Sequence, residues 1–282
     1  MHTETDPDRV HARVADWRRQ GRSIAFVPTM GNLHAGHHAL LQHAARHGDK
    51  VVASVFVNPA QFGPDEDFAR YPRTLEADRA GLDQVGCDLL FTPSVETMYP
   101  YGVEQSVTVH VPGLSEILEG AHRPGHFDGV TTVVSKLLAI VQPDVAVFGR
   151  KDYQQWRVIE RLCRDLRFGV DIVGVPIVRD GDGLALSSRN QYLDQARREK
   201  APQLHQALRH ACTLLDRGVV AAEVEQRTCA RLQDAGFVPD YVAVRNAADL
   251  GMPQAGQRDG LVVLAAARLG TVRLIDNIEI RS

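Results

Sequence analysis

The sequence predicts an α/β protein, built on a parallel sheet with helices on both faces. Two observations predict it. Short apolar runs alternate with helix-period segments as far as Val175, the pattern of strands joined by crossover helices. Polar or glycine-bearing turns follow three of those runs, at the strand ends where such sheets place their ligands.

Asp8 to Gln20 carries helical periodicity, and Ile24 to Val27 is an apolar strand closed by Pro28. Leu40, Leu41 and Ala45 give Gly36 to His47 a helical stripe. Lys50 to Val57 is valine-rich and ends at Asn58-Pro59, which stops a strand. Leu75 to Val85 reads as a helix and Asp88 to Phe91 as a short strand. Phe127 to Val141 is a strongly apolar helix, followed by strand Asp144 to Phe148, helix Asp152 to Leu166 and strand Val170 to Val175. The character changes near Pro176. A turn-rich connector, Ile177 to Gly183, leads to helices at Asp194 to Leu215 and Ala221 to Ala235, then strands at Tyr241 to Val244, Leu261 to Ala266 and Thr271 to Ile280. The reading is a Rossmann-like parallel-sheet domain over 1–176 and a smaller α+β lid domain over 177–282.

The 282 residues, 44% of them apolar, suffice for two such domains. A net charge of −3 removes the electrostatic argument for nucleic acid or a membrane surface as partner. Met1 to Arg13 is polar and acidic, unlike a signal peptide. Cys87, Cys163, Cys212 and Cys229 form no C-x-x-C pair, which reads as a cytoplasmic chain with reduced thiols and no structural metal.

The segment Pro28-Thr29-Met30-Gly31-Asn32-Leu33-His34-Ala35-Gly36-His37 joins a strand to a helix. Histidines three apart on a helix's first turn are separated by about 4.5 Å of axial rise. The helix's unpaired N–H groups favour anions, and imidazoles near neutral pH add donors that can become charged. A solvated face or a pair of metal ligands would show the same spacing, but no acid or cysteine stands nearby at ligand spacing. Gly149-Arg150-Lys151-Asp152 opens another helix, with Asp152 a candidate cap, Lys151 a compact charge for phosphate and Gln155 one turn further on the same face. Leu186-Ser187-Ser188-Arg189-Asn190 follows the glycine-rich hinge Asp180-Gly181-Asp182-Gly183 and suits a loop that folds over phosphates. Asn58 and Gln61 offer neutral amides for hydroxyl and carboxylate groups, and Arg123 precedes a long helix. Each segment alone also fits an ordinary cap or polar turn. Their joint placement, largely at strand ends, points to a nucleotide site.

Together, P-T-M-G-N-L-H-A-G-H, V-F-V-N-P-A-Q-F at Val55 to Phe62, R-P-G-H-F-D-G-V at Arg123 to Val130, F-G-R-K-D-Y-Q-Q at Phe148 to Gln155 and L-A-L-S-S-R-N at Leu184 to Asn190 resemble the pantothenate synthetase (pantoate–β-alanine ligase) family. That family belongs to the H-x-G-H nucleotidyltransferases, and Ser187-Ser188-Arg189 resembles their mobile loop. The resemblance implies ATP-dependent condensation of pantoate with β-alanine through pantoyl adenylate, with Mg2+ accompanying the phosphates, in a cytoplasmic homodimer. It assigns ATP to Met30, Gly31, Asn32, Leu33, His34, Ala35, Gly36 and His37, to Gly149, Arg150, Lys151 and Asp152, and to Val178, Leu186, Ser187, Ser188 and Arg189. It assigns catalysis to His37, His34, Lys151 and Arg189, pantoate to Gln61, Gln155, Asn58 and Arg123, and β-alanine to Gln61. Arg150 stands at a position that varies in the family and adds charge beside Lys151. The alternatives are a transferase that stops at the nucleotidylated product and a nucleotide-binding protein without turnover.

Overall fold

The computed structural model describes residues 1–64 and 66–280. These contain strands β1 (His2–Glu4), β2 (Ile24–Thr29), β3 (Lys50–Val55), β4 (Leu89–Phe91), β5 (Val145–Gly149), β6 (Asp171–Val175), β7 (Val238–Asn246), β8 (Leu261–Leu269) and β9 (Val272–Ile280). The helices are α1 (Pro7–Arg19), α2 (Ala35–Ala44), α3 (Leu75–Gln84), α4 (Val95–Met98), α5 (Glu119–His122), α6 (His126–Val141), α7 (Tyr153–Asp165), α8 (Gln195–Lys200), α9 (Gln203–Asp216) and α10 (Ala221–Asp234). The chain divides into two compact units, one of residues 1–150 with 158–176, the other of 151–157 with residues from Ile177 onward.

The first unit holds a six-stranded sheet in the order β1-β4-β3-β2-β5-β6. Every pairing in it is parallel. From β2 the chain winds outward through β3 and β4, then returns to add β5 on the other side of β2. That reversal puts the topological switch point between β2 and β5, the place where sheets of this kind receive ligands beyond their strand ends. Ile24, Ala25, Phe26 and Val27 are all fully buried, as a central strand covered on both faces requires. Pro28 lies inside β2 rather than ending it, and pairs with Ser54 of β3.

Local chemistry fixes the helix starts. Asp6 caps α1 by accepting from the Asp8 N–H, with Pro7 in the first turn where a missing donor costs nothing. In α6, Val130, Val133, Val134, Leu137, Leu138 and Val141 are buried, and this packing outweighs the weak helix propensity of its β-branched residues. The Thr131 hydroxyl donates 2.7 Å to the Phe127 carbonyl one turn back.

The second unit contains the antiparallel sheet β7-β8-β9. Leu204, Leu208 and Leu215 of α9 and Val224 and Leu232 of α10 share its core with Val244, Val263 and Ala265. The helix expected from Asp194 to Leu215 is two helices, α8 and α9, which break at Ala201 and Pro202. Proline has no N–H for the next helical bond and clashes with the preceding turn, so the chain restarts there. Strand β7 is longer at both ends than the Tyr241 to Val244 expectation, because pairing with β8 runs from Val238 to Asn246.

Candidate functional site

The loop after β2 is tied down almost completely by its own protein. Gly31 and Asn32 take left-handed backbone angles, φ 80° and 51°. Glycine is required at the first. A Cβ there would lie 2.9 Å from Asp78 Oδ2 and 3.0 Å from Val55 Cγ1. The buried Asp78 carboxylate accepts from the N–H groups of Asn32 (3.0 Å) and Leu33 (2.7 Å), and from the Thr74 hydroxyl at 3.2 Å. Thr29 Oγ1 takes the Gly31 N–H at 3.2 Å while donating 2.7 Å to the Ser54 carbonyl.

His34 is the N-cap of α2, in extended conformation, and His37 is its third residue. Helix α2 therefore begins one residue before the Gly36 start read from the sequence. The two imidazole centroids are 4.2 Å apart. Nδ1 of His34 accepts from the Gly36 N–H (3.1 Å), and Nδ1 of His37 accepts from the His34 N–H (3.3 Å). Both rings are thereby set as neutral tautomers carrying hydrogen on Nε2, since a proton on Nδ1 would face another N–H. One expectation changes. The main-chain donors of residues 31–34 and of Gly36 are already engaged within the protein, which leaves the Nε2–H groups of the two imidazoles as the donors this geometry orients.

Asn58, at the C-terminal end of the neighbouring β3, is 1% exposed. Its Oδ1 accepts from the Tyr99 hydroxyl at 2.6 Å and from the Ala60 N–H at 3.3 Å. Its Nδ2 donates to the Gly129 carbonyl and to Gln61 Oε1, both at 3.1 Å. Gln61 Nε2 in turn donates to Met30 Sδ at 3.0 Å. Gly129 lets α6 approach this segment, since a Cβ there would fall 2.2 Å from the Ala60 carbonyl oxygen.

Arg123 is engaged differently from its sequence reading. Its Nε and Nη2 grip the two Glu66 oxygens at 2.6 Å each, and its Nη1 donates 3.0 Å to His126 Nε2. His126 Nδ1 then donates 2.8 Å to the Gln61 carbonyl. The guanidinium thus braces the Gln61 main chain. Burial would raise the Glu66 carboxyl, but Arg123 outweighs it and holds the group below the usual range. Burial first, then Arg123, pushes His126 down from 6.5 to about 4, against smaller upward pulls from Gln61, Glu119 and Glu66.

A depressed histidine is neutral when folded and takes up a proton more readily when unfolded. Its contribution to stability is thus full above pH 6.5 and lost as pH falls toward 4. His126→Gln is expected to flatten the urea-midpoint profile between pH 4 and 6.5. An unchanged slope in that variant would reject this origin.

Gly149 ends β5, and Arg150 Nε donates 3.0 Å to the Gly174 carbonyl on β6. In the second unit, the Lys151 carbonyl accepts from Asn277 Nδ2 at 3.0 Å, and Lys151 Nζ lies 3.7 Å from Asp152 Oδ2. The Tyr153 hydroxyl reaches the Ala247 carbonyl (2.9 Å) and Glu279 (2.8 Å), which anchors the turn bearing Gln155. The Val178 carbonyl accepts from the Leu186 N–H at 3.0 Å. Ser187 caps a short 3-10 turn, Ser188–Tyr192, by accepting from the Arg189 N–H at 3.3 Å. The glycine-rich hinge beside it is clamped: Arg179 grips Asp276 with two 2.7 Å bonds, and Arg198 holds both Asp180 and Asp182.

Sequence reasoning missed Asp78, Tyr99, Glu66 and His126. Asp78 left a usable signal, a carboxylate four residues after Thr74 on the buried side of a helix, and His126 stands inside the R-P-G-H-F-D-G-V segment.

The model of the pantoate-beta-alanine ligase family matches residues 2–279. A pantothenate synthetase of Xylella fastidiosa (strain M12) is 55% identical over 284 residues, covering 99% of each chain. One from Stenotrophomonas maltophilia (strain K279a) is 56% identical over 279 residues, with the same coverage. Pantothenate synthetase from Thermus thermophilus superposes with a TM-score of 0.93 at 47% identity, covering 100% of both chains. The Francisella tularensis pantoate-beta-alanine ligase, complexed with beta-gamma ATP and beta-alanine, gives 0.82 at 34% identity, covering 99% of this chain and 97% of that one. With its parallel sheet, its H-x-G-H turn and near-complete matches at these identities, the chain belongs to the pantoate–β-alanine ligase family.

Proposed function

We propose that His34, His37, Lys151 and Arg189 carry the charge chemistry of this chain's reaction, the ATP-dependent condensation of pantoate with β-alanine through pantoyl adenylate. The observation that carries the proposal is the tautomer lock on the histidine pair, which fixes two neutral Nε2–H donors at one helix start. Pantoate's carboxylate attacks the α-phosphorus of ATP, the bond to the bridging oxygen breaks, and its electron pair leaves with pyrophosphate. No enzyme nucleophile takes part. The protein's task is alignment and stabilisation of the charge gathering on the leaving group.

In the first unit, Met30 to His37 and the Gly149-Arg150 turn are assigned to the nucleotide, with the histidines on its phosphates. In the second, Lys151 and Arg189 supply positive charge, and Asp152, Val178, Leu186, Ser187 and Ser188 complete the nucleotide contacts. Pantoate is assigned to Gln61 and Gln155, neutral amides that hold a carboxylate without a full charge to blunt its nucleophilicity. Asn58 and Arg123 support Gln61 through the bonds described. The β-alanine amine then attacks the acyl carbon, and AMP leaves with the pair from the cleaved C–O bond.

Among the described residues, no group of three or more His, Cys, Asp or Glu side chains is placed to hold a metal ion. Mg2+ is assigned to the nucleotide phosphates and water, where it would neutralise phosphate charge. Among the described residues, no helix is long and apolar enough to cross a membrane. A cytoplasmic homodimer is the assembly and location that the family resemblance supports.

Pyrophosphate–ATP isotope exchange tests the reaction order. Exchange is expected with ATP, Mg2+ and pantoate alone, and pantothenate with AMP once β-alanine is added. Exchange that required β-alanine, or an acyl group covalently attached to the protein, would reject the adenylate route.

A further inference from the structure

We infer that Asn58, held in place by the Tyr99 hydroxyl, is a positioning residue that sets the polarity of the Gln61 amide, so that Gln61 presents N–H rather than C=O to its ligand. An amide has two ends of similar shape and opposite hydrogen-bonding sense, and only the surrounding network decides which end faces where. Here the decision starts at Asn58, which lies between a backbone N–H that can only donate and a backbone carbonyl that can only accept. The Tyr99 hydroxyl is buried, 2.6 Å from Asn58 Oδ1; a phenol can donate or accept, and against an oxygen it donates. Burial pushes that phenol up to about 12, so it keeps its hydrogen throughout the working range.

Because the Ala60 N–H donates to one end of Asn58, that end must be oxygen, and the Tyr99 hydroxyl donates to it as well. The other end is then NH2, which matches its two acceptors, the Gly129 carbonyl and Gln61 Oε1. Gln61 Oε1 is consumed inward by this donor. Its NH2 therefore faces the Met30 side, where a thioether takes one hydrogen as a weak acceptor at 3.0 Å. An NH2 carries two hydrogens, so the group that Gln61 recognises must bring an acceptor: a carboxylate or hydroxyl oxygen. An ammonium, which only donates, is repelled by the same end.

This rests on the reading that Gln61 holds pantoate, and refines it. Gln61 then meets pantoate through oxygen atoms, and any contact it makes with β-alanine is through oxygen atoms too. The Tyr99 ring itself packs against Phe56, and Lys136 Nζ stands 4.0 Å from its centroid. Tyr99→Phe keeps those contacts and removes only the O–H.

The experiment is a double-mutant cycle on Tyr99→Phe and Gln61→Ala, with KM measured separately for pantoate, ATP and β-alanine. Tyr99→Phe is expected to raise KM for pantoate roughly tenfold, the scale of a buried acceptor losing its donor, with KM for ATP unchanged. In the Gln61→Ala background the same change is expected to have little further effect, because the amide it orients is gone. Asn58→Asp, which removes the inward NH2 and lets Gln61 turn its own NH2 inward, is expected to weaken pantoate at least as much. Full additivity of the two substitutions, or equal rises in all three KM values, would overturn the role of Tyr99 while leaving Gln61 on pantoate. If Gln61→Ala leaves KM for pantoate untouched, the pantoate assignment falls, and the Tyr99 proposal with it.

Discussion

His37→Ala is expected to slow pantoyl-adenylate formation by about 10²–10³-fold, the usual cost of one oriented donor to a developing charge. ATP affinity is expected to change little, because the proposed contact strengthens only as the bond to pyrophosphate lengthens. Stability should also change little, since the His34 N–H that His37 now accepts lies in a part-buried turn that water can reach. The neutral tautomer makes a sharper test possible. His37→Gln places an amide N–H near the position of imidazole Nε2 and is expected to recover part of the rate, as no cation is being replaced. Single-turnover formation of adenylate from ATP and pantoate measures this directly. Supplied pantoyl adenylate should still react with β-alanine at near the parent rate. A His37→Gln variant as slow as His37→Ala, or equal losses in both half-reactions, would mean that His37 acts as a proton-transfer group instead.

Asp78→Ala should produce the largest combined loss of stability and turnover. Its carboxylate is 3% exposed and takes two consecutive main-chain N–H groups in a loop that already holds two left-handed residues. Each N–H left without an acceptor costs about 1–3 kcal/mol, and the loop leads straight into His34. The urea midpoint is expected to drop, and adenylate formation to fall further than the unfolded fraction explains. Asp78→Asn, with one oxygen left to accept, should lie between the parent and the alanine variant. A large drop in midpoint with normal single-turnover rates would confine Asp78 to a structural role. A midpoint that does not move would show that these hydrogen bonds are readily replaced.

The layered architecture was legible because each sheet strand of the first unit except β1 carries a continuous apolar run, and each crossover helix between them its own period. Strand β1 escaped because His2, Thr3 and Glu4 are polar and become a strand only by parallel pairing with Leu89, Leu90 and Phe91 of β4. Candidate site residues could be named where a motif is local: His34 and His37, Lys151 and Gln155, Ser187 to Arg189. Their supports were not. Asp78 lies 45 residues from Leu33, and Tyr99 lies 41 from Asn58. Nothing in the composition around either one names its partner. The charge of Arg123 was visible, but its matching by Glu66, 57 residues away, was not. The tautomers of His34 and His37 belong to the same class, since a ring's acceptor atom is chosen by a backbone that the sequence does not draw.

The reversal of strand order at β2 also has a consequence for biogenesis. The Ile24 N–H that bonds Asp144 is separated from it by 120 residues. At a synthesis rate of about 5–20 residues per second, β2 leaves the ribosome on the order of ten seconds before β5 can join it. Strand β3 protects one flank of β2 early; the other remains an open, apolar edge able to recruit foreign strands. Weakening the closing contact, as in Asp144→Ala, should therefore show first in the yield of soluble protein from growing cells, and only weakly in the specific activity of the molecules that mature.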